Sequence, residues 1–304
     1  MTREHFPILG LIATIATSVG FTVALAGAAG DPVRIAGGQY EASGVVHVPS
    51  SNTMLFVDDG RTREVFAIDV NADGSQRGSA KAVPLQADVT DLEGITSDGK
   101  LIYVVGSQSK TTGFDGDGLV RFSFNPATAQ AEKIERIQGL KRWLADNVAE
   151  LHGTANQIGD KVLNIEGIAW DPGGRRLLLG LRAPVIDGHA LIIPIRIKDP
   201  DGPFRADNLV VDDGQAIRVP LDGAGIRSIE YDARASAFRI ITGAGLNKED
   251  RDFRVVEWRT GAGSVREVAR FASRLKPEGI TGAILDGRPR TVIVFDTGRM
   301  AVLD

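Results

Sequence analysis

Residues 164–172 read NIEGIAWDP, and this stretch decides the fold. A glutamate stands directly before Gly-Ile at the start of an apolar run that stops at Asp-Pro. The same opening recurs along the chain as EASGVVHV from Glu41, LEGITSD from Leu92, IRSIEYD from Ile226 and PEGITGA from Pro277. Aligning the first charged residue of each gives Glu41, Glu93, Glu166, Arg227 and Glu278, spaced by 52, 73, 61 and 51 residues. Each opening is followed by a second short run rich in β-branched or aliphatic residues: TMLFVDDG, KLIYVVGS, RRLLLGLR, FRIITGAG and TVIVFDTG. Runs of this length that end at Gly, Asp or Ser read as strands. A period near fifty with several strands per unit predicts an all-β fold, a β-propeller. Five blades are expected, with six as the alternative if an insertion hides a degenerate unit.

Two spacings are long for visible reasons. LKRWLADNVAELH places Leu140, Trp143, Leu144, Val148 and Leu151 on one helical face, predicting an amphipathic helix near 139–151 that packs on the outside of the ring. KDPDGPFRAD, from Lys198, is an extra loop. The last unit has only three evident strands. PVRIAG, from Pro32, supplies the missing one and closes the ring, removing a sheet edge that would invite aggregation.

The first thirty residues read differently. One Arg precedes a long uncharged run, and Ala24-Leu25-Ala26 and Ala26-Gly27-Ala28 fit a small-x-small cleavage pattern. Residues 1–28 are expected to be a secretory signal peptide, with an uncleaved anchor as the alternative. Residues 31–304 are then a single propeller domain, periplasmic or secreted. A formal charge of −4 and the lack of any Lys/Arg cluster argue against a nucleic-acid partner. No membrane insertion is expected apart from that N-terminal anchor. The absence of cysteine excludes disulfides and thiolate chemistry.

In a blade, the start of the first strand and the end of the second lie at one face of the disc. The ends carry Asp58-Asp59, Ser107-Gln108, Arg182, Gly243 and Asp296. The repeat therefore gathers glutamates, aspartates and two arginines at one channel mouth. So many carboxylates cannot all ionise without protons or cations to offset them. Glu41, Glu93, Glu166 and Glu278 are candidate ligands for Ca²⁺ or Mg²⁺, which take oxygen donors. Glu93, Glu166, Arg182 and Arg227 are the candidate catalytic set. Glu41, Ser107, Lys110, Glu278 and Asp296 are candidate ligand-binding residues. The histidines left after the leader, His47, His152 and His189, lie far apart and do not suggest a zinc site. Asp115-Gly116-Asp117-Gly118 resembles half a calcium loop but lacks the acidic ligand and helix that complete one, and reads as a turn.

The elements EASGV, DLEGI, GLVRF, NIEGIAWDP, LLLGLRAP, DGHALIIPI, GIRSIEYD and KPEGIT together resemble a bacterial family of exported propellers, domain of unknown function 3616. That family's serine–polar–serine–basic segment appears as Ser107-Gln108-Ser109-Lys110. The resemblance implies the fold and the place of the site, not a reaction. More distantly, the EGI strands are similar to esterase-like phytase propellers. Three functions are open: a binding module for a small anionic molecule, a metal or an unknown protein; a metal-assisted hydrolase of phosphate esters, esters or lactones; and a scaffold whose charges are architectural.

Overall fold

The computed structural model describes residues 31–49, 51–111, 116–243 and 252–303. The expected leader lies outside the described residues. Among the described residues, no helix is long and apolar enough to cross a membrane.

The strands form five antiparallel sheets arranged as the blades of a β-propeller. Among the described residues the closing strand β1 (Val33–Arg34) comes first. Blade one is β2 (Ala42–His47), β3 (Thr53–Asp58), β4 (Glu64–Val70) and β5 (Gln76–Pro84). Blade two is β6 (Leu92–Ser97), β7 (Ile102–Gly106), β8 (Leu119–Asn125) and β9 (Gln130–Ile137). Helix α1 (Leu140–Asn147) follows. Blade three has β10 (Asn164–Asp171), β11 (Arg176–Ile186) and β12 (His189–Ile197), and its outer edge is split between β13 (Leu209–Val211) and β14 (Ile217–Pro220). Blade four is β15 (Gly225–Asp232), β16 (Ala237–Gly243), β17 (Phe253–Trp258) and β18 (Arg266–Phe271). Blade five is β19 (Pro277–Leu285), β20 (Arg288–Phe295) and β21 (Arg299–Leu303), completed by β1, which pairs Val33 with Met300. The ring thus closes through the N-terminal strand, as the incomplete last unit requires.

The innermost strands β2, β6, β10, β15 and β19 pack each against the next around the ring. Their glycines make this possible. A Cβ on Gly94 would lie 2.9 Å from Ile168 Cγ2 and 3.2 Å from the Ile168 amide nitrogen; one on Gly279 would lie 2.9 Å from the Gly44 Cα. Gly167 is as close to Ile229. Blade four has Ser228 at this position, and its hydroxyl accepts the Ile280 N–H of blade five at 3.2 Å. Thr96 and Thr281 repeat the device, accepting from the Trp170 and His47 amides of the next blade at 3.1 and 3.3 Å. The apolar residue after each glycine, and after Ser228 in blade four (Val45, Ile95, Ile168, Ile229, Ile280), is buried between blades.

Helix α1 sits between blades two and three, and its Leu140 and Leu144 join Val148 and Leu151 in the core those blades share. The acidic turn that resembled half a calcium loop serves this helix. The described part includes Asp117, which is buried, and its carboxylate accepts the Leu140 N–H at 2.8 Å and the Lys141 N–H at 3.3 Å.

Candidate functional site at the channel mouth

The residue before each ring glycine is bulged out of its ladder. Glu93 is skipped between Leu92 and Gly94, Glu166 between Ile165 and Gly167, Arg227 between Ile226 and Ser228, and Glu278 between Pro277 and Gly279. A bulge leaves one residue without a cross-strand partner and re-aims its side chain. That explains the glutamate before Gly-Ile: the bulge turns the charge out of the sheet, and the glycine admits the neighbouring blade. In blade one the skipped residues are Ser43 and Gly44. Ser43 therefore holds the ring position, and Glu41 stands two residues earlier, exposed on the rim. This corrects the alignment of Glu41 with the other four.

Three bulged residues from three blades touch. Arg227 donates from Nε to Glu278 at 2.6 Å and pairs its Nη2 with the same carboxylate. Its Nη1 lies 2.8 Å from Glu166 Oε2. Arg182 is also skipped in its ladder, between Leu181 and Ala183, and donates to Glu166 Oε1 at 2.8 Å. Glu166 and Glu278 are buried, so this chain of two glutamates and two arginines is largely shielded from water. In such surroundings an ion pair resists removal of either member.

Glu93 lies near this chain but, among the described residues, makes no ion pair with an arginine; Arg227 lowers its pKa only from a distance. Glu93 is set deep among protein atoms yet keeps some accessible surface, as a side chain facing a narrow channel does. Burial first, and then the neighbouring Glu166 and Asp91 carboxylates, push its pKa well above the usual range. Asp59, just past β3, is pushed up to about 7 by burial, by a hydrogen bond with Glu41 and by nearby carboxylates. Carboxylate oxygens of Asp59, Asp91 and Glu93 all lie within 4.8 Å of one another. Two oxygens on one Ca²⁺ can be about 5 Å apart, twice the ~2.3–2.6 Å ligand distance. The donor set therefore suits a hard divalent cation. Of the four glutamates expected to ligate, only Glu93 belongs to this cluster; Glu166 and Glu278 are held by arginines, and Glu41 reaches it through Asp59.

The Ser107–Lys110 segment borders the cluster. Ser107, fully buried, donates a short hydrogen bond to Asp91, and Lys110 Nζ reaches the other Asp91 oxygen at 2.5 Å. That contact with Asp91 raises the Lys110 pKa, although most of its side chain is exposed. Gln108 points elsewhere and donates to the Gly106 and Gly118 carbonyls at 2.8 and 3.3 Å. The helical insertion braces this segment. Buried Lys141 donates to the Thr111 carbonyl at 2.8 Å, and Gly159 N–H donates to the Ser109 carbonyl at 2.9 Å. Asp296 stands apart from the cluster, paired with Lys276 at 2.7 Å.

Asp91 is the site residue that sequence reasoning missed; Asp59 was placed at the mouth but not among the candidate ligands. The signal was present for Asp91 in Asp91-Leu92-Glu93, two acids one residue apart beside a ring glycine. Its backbone, at φ 59°, turns left-handed into β6, a conformation aspartate tolerates better than most residues.

A family model described as protein of unknown function, DUF3616, matches residues 127–279. The chain belongs to that family. No curated protein matches this DUF3616 chain. Among solved structures, it is similar to the PQQ domain of a pyranose dehydrogenase from Coprinopsis cinerea, at 11% identity over 90% of this chain and 95% of that one, with a TM-score of 0.49. A glucose dehydrogenase matches at 11% identity over 90% of this chain and 99% of that one, TM-score 0.47. A structural genomics protein of unknown function from Bacteroides thetaiotaomicron matches at 13% identity over 90% and 71%, TM-score 0.44.

Proposed function

We propose that this DUF3616 propeller is a binding protein whose channel mouth holds a divalent cation, Ca²⁺ or Mg²⁺, on Asp59, Asp91 and Glu93. The observation that carries this reading is the convergence of three carboxylates from blades one and two within 4.8 Å. Lys110 is a single positive charge against those three, and it is free to swing away because its side chain is mostly exposed. A cation would offset the burial, and after it the carboxylate repulsion, that push Glu93 and Asp59 towards their protonated forms. The arginines do not favour a free anion at the same point, because Arg227 is engaged by two glutamates and Arg182 by one. The apolar leader supports export, so the site would work in the periplasm or outside the cell.

Calorimetric titration of the purified chain with Ca²⁺ and with Mg²⁺ tests this. The parent should bind one equivalent and release protons. Asp91→Asn and Glu93→Gln should each weaken binding by at least tenfold, since each removes a charged ligand.

A second reading, metal-assisted hydrolysis of a phosphate or carboxylic ester, is supported by Arg182. It is partly accessible beside the cluster and uses one nitrogen on Glu166, leaving donors for a substrate oxyanion. A screen of ester substrates with and without the cation tests it. Activity lost in Arg182→Gln, with cation binding retained, would favour this reading over simple binding.

A further inference from the structure

The chain closes its ring at blade five and then crosses to blade one, and a cleft opens at this seam. It has a volume of about 450 Å³ and is lined by Arg34, Tyr40, Glu41, Asp58, Arg61 and Asp296, among others. That size falls within the ~300–1,000 Å³ of small-ligand pockets. The walls come from both sides of the seam: Arg34 from the closing strand β1, Asp296 from the turn after β20, and Asp58 and Arg61 from blade one.

The acids of the cleft are engaged. Asp58 accepts the Glu41 N–H at 3.1 Å with one oxygen and the Gly60 N–H at 3.0 Å with the other. Asp296 pairs with Lys276 at 2.7 Å. Glu41 lies close enough to the Asp59 carboxyl to raise its pKa. The guanidinium groups are held more loosely. Arg34 makes no side-chain hydrogen bond or ion pair among the described residues. The Arg61 Nε lies 3.9 Å from Glu64, too far for a hydrogen bond. Arg34 therefore keeps its whole guanidinium for a ligand, and Arg61, held only by a 3.9 Å ion pair to Glu64, keeps its hydrogen-bond donors for one; such forks suit carboxylate and phosphate oxygens.

We propose that this seam cleft is a binding site, separate from the cation cluster, for a small phosphorylated or carboxylated molecule gripped by Arg34 and Arg61. Because the two arginines stand on opposite sides of the closure, the bound anion also ties the ring shut. A ligand that binds only the closed form raises the stability of that form.

Inorganic phosphate and succinate, titrated separately into the full chain by calorimetry, test the site and distinguish the two anion chemistries. For the anion that binds, Arg34→Gln and Arg61→Gln should each weaken affinity by about tenfold. The double variant should lose binding, and saturating anion should raise the melting temperature of the parent but not of the double variant. Arg34→Lys and Arg61→Lys keep the charge without the fork, so they should fold as the parent does and bind with intermediate affinity. Glu93→Gln, which weakens the cation site, should leave anion affinity within about twofold, so failure of one site does not mimic failure of the other. Failure of both anions to bind the parent at about 10 mM, or parental affinity in the double glutamine variant, would overturn the proposal.

Discussion

Arg227 and Glu166 come from neighbouring blades and meet 2.8 Å apart at the channel mouth, each on a residue bulged out of its own sheet. Arg227 also holds Glu278 of the next blade, so one guanidinium joins three consecutive inner strands. The arrangement combines architecture and electrostatics. It locks blades three, four and five together, and it confines uncompensated negative charge to the side of the mouth formed by blades one and two.

Removing Arg227 strands the buried Glu278 carboxylate and leaves Glu166 with Arg182 alone. Arg227→Met should therefore destabilise the protein by roughly 3–5 kcal/mol, the usual cost of breaking a buried pair from one side. Arg227→Lys should recover only part of this, because an ammonium cannot bridge two carboxylates as a fork does. Urea unfolding of the three proteins measures it; equal midpoints would show that the pair contributes nothing to the ring.

The ring glycines should be far less tolerant than exposed ones. A Cβ at Gly279 would sit 2.9 Å from backbone atoms of Gly44 and Val45, which cannot give way without moving blade one. Gly279→Ala should cost about 1–3 kcal/mol or more. Gly282, three residues on in the same strand, has nothing within 4 Å of its would-be Cβ. Gly282→Ala should leave the unfolding midpoint unchanged within error.

Glu230 on β15 should make stability fall as pH rises. Burial pushes its pKa from 4.5 up to about 8, and the Thr281 hydroxyl is a distant donor at 3.5 Å. The folded protein holds this proton more tightly than the unfolded chain does. The group therefore costs nothing below about 4.5, and stability is lost between there and about 8, where the penalty levels off. Glu230→Gln should flatten that part of the stability–pH curve and gain a few kcal/mol at pH 8 relative to pH 5. Denaturant midpoints across this range check the sign; a parallel fall in the variant would assign the pH dependence to other groups.

The closing strand should be essential to solubility as well as stability. Val33 and Arg34 pair with β21, and the Ile35 N–H donates to the Gly298 carbonyl at 2.9 Å. Deleting residues 31–36 would bare the β21 edge and the core position of Ile35. Light scattering should show self-association of the truncated chain at concentrations where the parent is monodisperse.

The propeller was legible in the sequence because each ring position must meet two demands at once. Its glycine must admit a neighbouring backbone, and its following residue must fill the space between blades, so Glu-Gly-Ile recurs with a period that insertions stretch but do not erase. The closing role of PVRIAG followed from the missing fourth strand alone. The site was legible only in part. Aligning by charge put Glu41 in the ring, whereas aligning by glycine puts Ser43 there, because Gly44 is the residue that approaches Gly94. The pairing of Glu166 with both arginines depends on three bulges, at Glu166, Arg182 and Arg227, whose joint effect spacing alone does not reveal. Asp91 was hidden because a left-handed turn, rather than strand alternation, brings it to Glu93. Repetition exposes what every blade shares; the acidic cluster is made by what blades one and two do differently.

Anomalous diffraction from crystals grown with Mn²⁺, a divalent ion that takes the same oxygen donors as Ca²⁺ and Mg²⁺, tests the cation site most directly. The expected result is one strong peak within bonding distance of Asp59, Asp91 and Glu93, with Lys110 turned away from Asp91. Crystals with no peak there, and with the Lys110–Asp91 contact intact at high Mn²⁺, would contradict the account and leave the carboxyl cluster balanced by its own protons and that one lysine.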